Sequence, residues 1–319
     1  MNILLIYNKP VSPGKYGSKE KMIWTLAKIL KKSGYKLQLL APQKSVFPFG
    51  KHVHFNPSFS LTEQIPEGID IVHTFINPGN TSLALPFVYT HTNFDQTSEL
   101  PVNTIFSSLH HARLHKAEAY IYNGLDPEDY PRVTIFTPRN HLVFMGNPYL
   151  KRNNLRDAKI IAEVAEANLI IVGGYGLSFN KHIQYKGLVE KEERALILNR
   201  SKCLLHPIRW HEPFGHNIIE SMYFGCPVLS TPYGSSAEII NPECGYISDS
   251  RSDLLEALKH LHSFNRKAIH NYTLDHFSAG KMAFAFLDLY EKVLDGHSLN
   301  SQQPVNSSYS SQNLLPVYF

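Results

Sequence analysis

The sequence predicts an α/β protein of two domains, each built on a parallel sheet, and three observations support this prediction. The 319 residues suffice for two domains of ordinary size, since a typical domain holds about 100–150 residues. Short β-type runs alternate with helical patterns along the chain, which is typical of parallel strands joined by crossover helices. A polar, proline-punctuated stretch interrupts that alternation.

The first domain is predicted over residues 1–137. Its predicted strands cover residues 3–7, 37–41, 69–73 and 87–91, and its first helix covers residues 19–32 and ends at Ser33-Gly34. The opening MNILLIYNKP is apolar for only a few residues and lacks the charged start and cleavage site of a signal peptide. It therefore predicts a buried first strand and a cytoplasmic protein.

The second domain is predicted over residues 138–278, after the connecting stretch from Asp126 to Asn140. Predicted strands at 142–145, 169–172, 203–206 and 227–230 alternate with predicted helices at 156–166 and 217–224. Residues 296–319 are rich in Ser, Asn and Gln and offer little apolar surface to bury. They are therefore predicted to form a disordered tail.

Composition and charge exclude several classes of protein. No run of eighteen apolar residues is present, so no membrane-spanning helix is expected. Three cysteines form no C-x-x-C pair, which argues against a disulfide framework or a zinc knuckle and favours small buried side chains. Residues 1–51 hold ten lysines and one glutamate, a balance of +9 in a chain of net charge +4. This lysine-rich region is either solvated surface or a surface that attracts anions.

The densest motif lies between Arg209 and Ile240 and begins RWHEPFGHNIIESMYFGCPVLS. Glu212 stands in a Pro-Phe-Gly loop, and Glu220 stands eight residues later, inside the helix that the loop opens. The N–H groups at the start of such a helix can receive a diphosphate, and Gly225 then ends the helix. The alternative is a pair of ordinary surface glutamates around a strand-to-helix turn.

This segment resembles the E-x7-E signature of the retaining glycosyltransferases of family 4, which have the GT-B fold of two Rossmann-like domains facing a cleft. Ser221 and Tyr223 stand where the family usually has small residues. The stretch 232–240 resembles the family's G-G-x-x-E-I-I loop, with Ser235 in place of the second glycine. The resemblance implies that the first domain binds the acceptor and the second binds a nucleotide sugar. It also implies that a helix over residues 279–295 crosses back to the first domain.

The resemblance also implies roles for residues in the second domain. Glu212 would orient hydroxyls of the transferred sugar and Glu220 would bind the ribose. The helix start at Phe214, Gly215 and His216 would hold the donor phosphates.

Two residues of the first domain are implied by weaker motifs. Gly17, in a segment that resembles the family's Gly-Gly-x-Glu loop, would bring its backbone against the donor phosphates. His91, at the end of the strand 87–91, matches the histidine that points into the cleft near the reacting centre. His73, in a D-I-V-H segment, is instead expected to be structural, because a histidine in a buried strand is usually a satisfied core group.

The clearest departure from the family is Asn147, which stands where an arginine normally neutralises the leaving diphosphate. A second basic residue of the family follows five or six positions later, and either Lys151 or Arg152 can supply it. Lys186, before Gly187, is a weaker substitute. The departure leaves open an enzyme with impaired turnover.

Other kinds of site find little support in the sequence. No D-x-D triad is present, so a mechanism without a metal ion is expected. The run from Gly173 to Gly176 lacks the spacing of a dinucleotide-binding loop, and no phosphate-loop motif occurs. His110, His111 and His115 are expected to belong to a scattered set of histidines rather than to a metal site.

The sequence thus predicts a retaining hexosyltransferase that uses a nucleotide-diphosphate sugar, UDP-sugar favoured, and no cofactor. The predicted acceptor is a glycan or a lipid-linked glycan, as in lipopolysaccharide or capsule biosynthesis, and no nucleic acid is expected as a partner. The enzyme would be cytoplasmic and could contact an anionic membrane at its inner face. Two alternatives are a catalytically weak sugar-nucleotide-binding partner subunit, which Asn147 permits, and a sugar-nucleotide epimerase, which the E-P-F-G motif disfavours.

Overall fold

The computed structural model describes residues 1–12, 17–79, 83–94, 99–307, 309 and 313–318. The chain forms two compact units, Met1–Asp126 with Ser278–Ser310 and Pro127–Phe277 with Ser311–Phe319, called here the first and second units. They divide at the start of the proline-punctuated stretch, whereas the predicted boundary lay at its end. The difference arises because Tyr130 packs against Tyr223 and the Thr134 N–H donates to the Asn199 side chain at 2.8 Å, both contacts within the second unit.

Strands and helices alternate as the sequence predicts. The strands are β1 (Asn2–Ile6), β2 (Lys36–Ala41), β3 (Lys51–His54), β4 (Ile71–Thr74), β5 (Phe87–His91), β6 (Thr104–Phe106), β7 (His141–Met145), β8 (Leu169–Val172), β9 (Ile183–Gly187), β10 (Ser201–His206), β11 (Val228–Ser230) and β12 (Gly245–Ile247). The helices are α1 (Ser18–Lys32), α2 (Leu109–Leu114), α3 (Leu155–Val164), α4 (Lys191–Asn199), α5 (His216–Tyr223), α6 (Ser236–Ile239), α7 (Arg251–Lys259), α8 (Arg266–His276) and α9 (Ala279–Leu294).

Each unit contains a six-stranded sheet in which the paired strands are parallel. The order is β3-β2-β1-β4-β5-β6 in the first unit and β12-β11-β10-β7-β8-β9 in the second. Each order reverses direction once, between β1 and β4 and between β10 and β7. In open parallel sheets, ligands bind beyond the carboxyl ends of the strands at such a reversal point.

The sheets are buried on both faces, as parallel sheets usually are. In β1 the side chains from Ile3 to Ile6 have no exposed surface, because α1 and α9 cover the face of Ile3 and Leu5, while a second apolar cluster covers the face of Leu4 and Ile6. All three cysteines are buried and free, as predicted. These contacts make each sheet a rigid support for the loops at its edges.

Helix α9 completes the core of the first unit. Its apolar residues Met282, Phe286, Tyr290 and Val293 recur every three or four positions and pack with the buried residues of α1. Helix α9 thus returns to the first unit, as predicted.

Within the described ranges, no helix is both long and apolar enough to cross a membrane.

His73 lies in this core and is structural, as predicted. Its Nδ1 lies 2.6 Å from the Tyr290 hydroxyl and its Nε2 lies 2.7 Å from the Thr90 hydroxyl. Burial lowers the pKa of His73 from 6.5 to about 3. The ring is therefore neutral at physiological pH and joins β4, β5 and α9.

The prediction of a disordered tail after residue 295 is wrong for the residues that the structure describes. The Asn300 side chain accepts hydrogen bonds from the N–H groups of Glu118 and Ala119, both at 2.9 Å, and donates to the carbonyls of Val102 and Thr104. Such contacts escape a composition argument, because they satisfy backbone groups instead of burying apolar surface.

A second part of the tail, residues 313–318, lies on the second unit. The Leu315 N–H donates to the Arg209 carbonyl at 2.9 Å, and Arg209 Nε donates to the Leu315 carbonyl at 2.6 Å. The Tyr318 N–H donates to the Asp249 carbonyl at 2.7 Å. Backbone pairing therefore fixes this segment as well.

Candidate active site

The loops that carry the predicted donor site meet at one edge of the second sheet. They follow β7, β10 and β11, three neighbouring parallel strands, so their starting points lie side by side. The first two loops flank the point where the strand order reverses. The E-P-F-G loop therefore occupies the position at which parallel sheets usually bind ligands.

Close backbone contact holds the E-P-F-G loop against the loop after β11. Gly234 has a φ of +64°, and a Cβ there would lie 2.3 Å from the Glu212 nitrogen. The Ser235 N–H donates to the Glu212 carbonyl at 3.1 Å, and the Ser235 hydroxyl accepts from the Gly215 N–H at 3.2 Å. Only glycine fits at 234, and serine in place of the second glycine of the family motif supplies an extra hydrogen bond.

Glu212 is fixed by a histidine at the end of β10. His206 Nε2 lies 2.9 Å from Glu212 Oε2, and the His206 side chain is only 5% exposed. One carboxylate oxygen is thus occupied by a protein partner. Sequence reasoning missed His206, although a histidine that ends a strand six residues before the motif glutamate was a visible signal.

Glu220 is fixed by an arginine that sequence reasoning also missed. Arg194 on α4 donates from Nε to Glu220 Oε2 at 2.8 Å and also from Nη2 to the same oxygen. Nη2 reaches the Asn217 side chain at 2.9 Å, and the Asn217 amide donates to the Met145 carbonyl at 3.0 Å. This network connects the buried Glu220 carboxylate with the end of β7. No local pattern around Arg194 indicated it, because the pairing spans α4 and α5.

The three residues predicted to form the helix start differ in exposure. Gly215 is the N-cap of α5 and His216 is its first residue, half-buried. Phe214 is 7% exposed and packs edge-on against Phe277. Phe214 therefore anchors the loop within the unit, and both ring nitrogens of His216 are buried.

The structure distinguishes Arg152 from Lys151. The Arg152 guanidinium lies 4.4 Å from the centre of the Trp210 ring, two residues before Glu212. Lys151 is exposed and lines a cavity of about 390 Å³ together with Arg156 and Arg209. Arg152 is thus the residue of the two that lies beside the E-P-F-G loop.

Lys186 and Asn147 lie on or next to different strands of the second sheet. Lys186 is on β9, the edge strand, two strands away from β7. Asn147 follows β7, and its side chain accepts from the Tyr149 N–H at 2.9 Å. The amide of Asn147 therefore shapes its own turn and carries no charge.

In the first unit, Gly17 is the N-cap of α1, and the residues before it, 13–16, lie outside the described residues. A Cβ at Gly17 would lie 2.5 Å from Glu20 Oε2. Lys19 donates to the Phe75 carbonyl at 3.3 Å, and burial lowers the pKa of Lys19 to about 8. Gly17 thus precedes a helix start whose charged residues, Lys19 and Glu20, already have partners within the first unit.

The position of His91 differs from the prediction. Its side chain has no exposed surface and contacts the rings of Phe106, His111 and His115. His111 and His115 are one helical turn apart on α2 and its C-cap, so they are not scattered on loops as predicted. Burial lowers the pKa of His91 well below its usual range, and the nearby His115 and Lys19 lower it further. His91 is a neutral interior residue because β5 ends beneath α2.

Comparisons with known proteins agree with the geometry. Residues 153–269 match the family model of the glycosyl transferases group 1. A search of curated protein sequences gives no match. Solved structures of similar fold include AviGT4, a glycosyltransferase involved in avilamycin A biosynthesis, at 20% identity over 93% of this chain and 99% of that chain, with a TM-score of 0.73.

Two further solved structures are similar over most of their length. The lipopolysaccharide outer core galactosyltransferase WaaB is 15% identical over 92% of this chain and 99% of that chain, with a TM-score of 0.64. HepE from Anabaena, in complex with UDP and glucose, is 14% identical over 92% of this chain and 100% of that chain, with a TM-score of 0.64. The chain therefore has the GT-B fold, and residues 153–269 carry the sequence pattern of the group 1 glycosyl transferases.

Proposed function

We propose that this protein is a retaining glycosyltransferase that takes a hexose from a nucleotide-diphosphate sugar. The observation that carries the proposal is the pair of fixed carboxylates, Glu212 and Glu220, on either side of the start of α5 at the reversal point of the second sheet. Both lie in the stretch that matches the group 1 family model. A UDP-sugar is the favoured donor, and the UDP and glucose bound by the Anabaena protein support this choice.

The proposed roles follow from the partners of each carboxylate. Arg194 fixes the orientation of the Glu220 carboxylate through Oε2, and this carboxylate accepts hydrogen bonds from the ribose hydroxyls in the proposed complex. His206 holds Glu212 Oε2, so Oε1 orients hydroxyls of the transferred sugar. The start of α5, at Gly215 and His216, receives the diphosphate, because helix N-termini favour anions.

We assign the charge that stabilises the leaving diphosphate to Arg152. Its guanidinium stacks on Trp210 beside the E-P-F-G loop, and its Nε is buried without a hydrogen bond partner. A planar guanidinium held on an aromatic ring keeps its remaining donors available for a phosphate. Arg152→Met should lower turnover by about 10²-fold, the cost typical of losing one transition-state contact, whereas Lys151→Met should change turnover little.

The donor is tested with a panel of nucleotide sugars, first by thermal shift and then by transfer and hydrolysis assays. A ligand at a hundred times its dissociation constant adds about 2.7 kcal/mol to the free energy of unfolding. We expect one class of nucleotide sugar to give such a shift and to turn over with retention at the anomeric carbon, as followed by NMR. Binding without turnover would instead favour the sugar-nucleotide-binding subunit.

The two carboxylates are tested separately. Glu220→Gln should weaken nucleotide binding, and Glu212→Gln should chiefly lower turnover, by about 10² to 10³. Glu243→Gln is the matched control, because Glu243 is exposed in the same unit and outside the motif. Turnover at the wild-type level in both site variants would contradict the assignment.

We further propose a lipid-linked or phosphate-bearing glycan as acceptor, bound by the first unit. Not all of its lysines can face an anion, because half-buried Lys19 donates to the Phe75 carbonyl and Lys28 pairs with Asp126 at 2.7 Å. The remaining cationic surface is formed by exposed lysines, namely Lys9, Lys31, Lys32, Lys36, Lys44 and Lys51. Each basic residue near an anionic bilayer contributes about 1 kcal/mol, screened over about 8 Å at physiological salt.

Sedimentation with vesicles that contain about 30% anionic phospholipid, enough for a marked surface potential, tests this contact. Binding should be strong at low salt and weak at high salt. Changing Lys31, Lys36 and Lys44 together to Gln should reduce it. The same change at Lys181, Lys202 and Lys267, which are exposed in the second unit, is the control. Failure to bind at low salt would make a soluble acceptor the better proposal and leave the donor assignment untouched.

A further inference from the structure

Three buried histidines converge in the first unit. His91 ends β5, while His111 and His115 lie one turn apart on α2 and its C-cap. The ring centres are 5.3 Å apart for His91 and His111, 5.0 Å for His91 and His115, and 5.2 Å for His111 and His115. One ring nitrogen from each lies within 4.8 Å of the other two.

Each of the three rings has one nitrogen with a partner and one without. The Nδ1 atoms lie 3.0 Å from the Tyr89 hydroxyl for His91, 3.4 Å from the Ser107 N–H for His111 and 2.8 Å from the Val305 carbonyl for His115. All three Nε2 atoms are buried and have no hydrogen bond partner.

An unsatisfied buried polar atom destabilises the folded chain, and native structures rarely keep one without a reason. Three in a single cluster, each on a ring that is at most 1% exposed, call for a shared ligand.

We propose that His91, His111 and His115 bind a divalent transition-metal ion of the zinc class through their Nε2 atoms. Imidazole is a preferred ligand of such ions. In a tetrahedral site with Zn–N distances of about 2.0–2.1 Å, the ligand nitrogens lie about 3.4 Å apart. One nitrogen from each ring lies within 4.8 Å of the other two, so the side chains would move closer together to complete the site.

The surroundings of His91 and His115 suit such a site. A histidine that binds a metal usually donates its other N–H to an oxygen atom, which fixes its orientation. His115 has the Val305 carbonyl in that position, and His91 has the Tyr89 hydroxyl. Coordination would place the His111 proton on Nδ1 and replace its long contact with the Ser107 N–H. Three protein ligands leave a fourth position for water.

The ion would act on stability and would take no direct part in the proposed transfer. It would join β5 to α2 and, through the Val305 carbonyl, to the stretch after α9. The proposed donor residues belong to the second unit, so this inference does not depend on the proposed function.

Zinc binding is tested on the full chain without an affinity tag. The protein is stripped with a chelator under mild denaturation, refolded, incubated with ZnCl₂ and desalted, and its metal content is measured by mass spectrometry. We expect about one retained zinc per chain, the stoichiometry of a single three-histidine site. Co²⁺ in place of zinc should give the visible absorption of a tetrahedral ion.

Variants separate a metal site from an aromatic core. His111→Phe and His115→Phe keep ring-sized apolar groups but remove the Nδ1 contacts with the Ser107 N–H and the Val305 carbonyl, so each is expected to lower the Tm of the zinc-free protein. At a metal site they abolish zinc retention and the zinc-dependent rise in Tm, whereas His110→Gln, at the neighbouring position on α2, retains both. No zinc retention and no zinc-dependent shift in the unsubstituted protein would overturn the proposal, whatever the variants do.

Discussion

At the scale of single residues, the Arg194–Glu220 pair determines whether the proposed ribose-binding carboxylate is in place. The Glu220 side chain is 4% exposed and the Arg194 side chain 28%. Removing one member of a largely buried pair leaves the other charge poorly solvated. Arg194 is therefore a positioning residue, which acts through Glu220.

We predict that Arg194→Ala lowers the affinity for the nucleotide by about tenfold and the free energy of unfolding by about 1–3 kcal/mol. Calorimetric titration with the nucleotide and thermal unfolding measure the two effects. Lys191→Ala, at the exposed first residue of the same helix, should change neither. Loss of stability with unchanged nucleotide affinity would show that the arginine is merely structural.

His73 predicts a pH dependence of stability. In the folded chain its pKa is about 3, whereas in the unfolded chain it is near 6.5. Below pH 6.5 the unfolded state binds a proton that the folded state does not, so the free energy of unfolding falls as pH falls, by about 1.4 kcal/mol per pH unit until about pH 3.

We therefore expect the unsubstituted protein to lose about 2 kcal/mol more stability than His73→Gln between pH 7 and pH 5. Denaturant unfolding of both proteins at pH 7, 6 and 5 measures this difference, and the other titrating groups cancel in the comparison. A constant difference across the range would mean that His73 is protonated in the folded chain.

At the scale of elements, Gly225 shows how α5 is joined to β11. It has a φ of +63°, and a Cβ there would lie 2.6 Å from the Arg266 carbonyl oxygen on α8. Gly280, in the first turn of α9, has an ordinary φ and no atom within 4 Å of such a Cβ. The same substitution should therefore have opposite effects at the two positions.

We predict that Gly225→Ala destabilises the protein by more than about 1 kcal/mol, through the left-handed backbone and the close carbonyl together. Gly280→Ala should stabilise it by about 0.4–1 kcal/mol, because alanine restricts the unfolded chain. Thermal unfolding of both variants decides the matter. Equal effects at the two glycines would refute the argument.

The extent to which the sequence predicted the elements follows from the range of the interactions involved. Helix α1 ends at Lys32 as predicted from Ser33-Gly34, and α5 begins one residue before its predicted start. Such ends depend on neighbouring residues. Other contacts join separate elements. Arg194 on α4 pairs with Glu220 on α5, and His91 on β5 meets the histidines of α2 and its C-cap. No local pattern predicts such contacts.

At the scale of the whole molecule, the stretch after α9 is part of the fold. Asn300 is 2% exposed and serves four backbone groups, among them the N–H groups of Glu118 and Ala119. Its loss would leave those groups without their partner. The prediction of a disordered tail implied that truncation after Gly296 would be harmless, and the contacts of Asn300 indicate the opposite.

We predict that truncation after Gly296 lowers Tm by several degrees, since about 1 kcal/mol corresponds to about 2–4 °C in a protein of this size. Asn300→Ala alone should cost about 2–3 kcal/mol, because buried backbone groups lose hydrogen bonds. Gln302→Ala, at an exposed position two residues later, is the control. An unchanged Tm after truncation would show that these contacts contribute nothing to stability.

The first unit is assembled from two distant parts of the chain, and this affects when it can fold during synthesis. Its core needs Phe286 and Tyr290, which follow the whole Pro127–Phe277 stretch of the second unit. At 5–20 residues per second, that stretch takes on the order of ten seconds to synthesise. We expect the isolated chain truncated after Phe277 to contain a protease-resistant second core and a protease-sensitive first unit. The unit whose synthesis begins first is the one whose core is completed last.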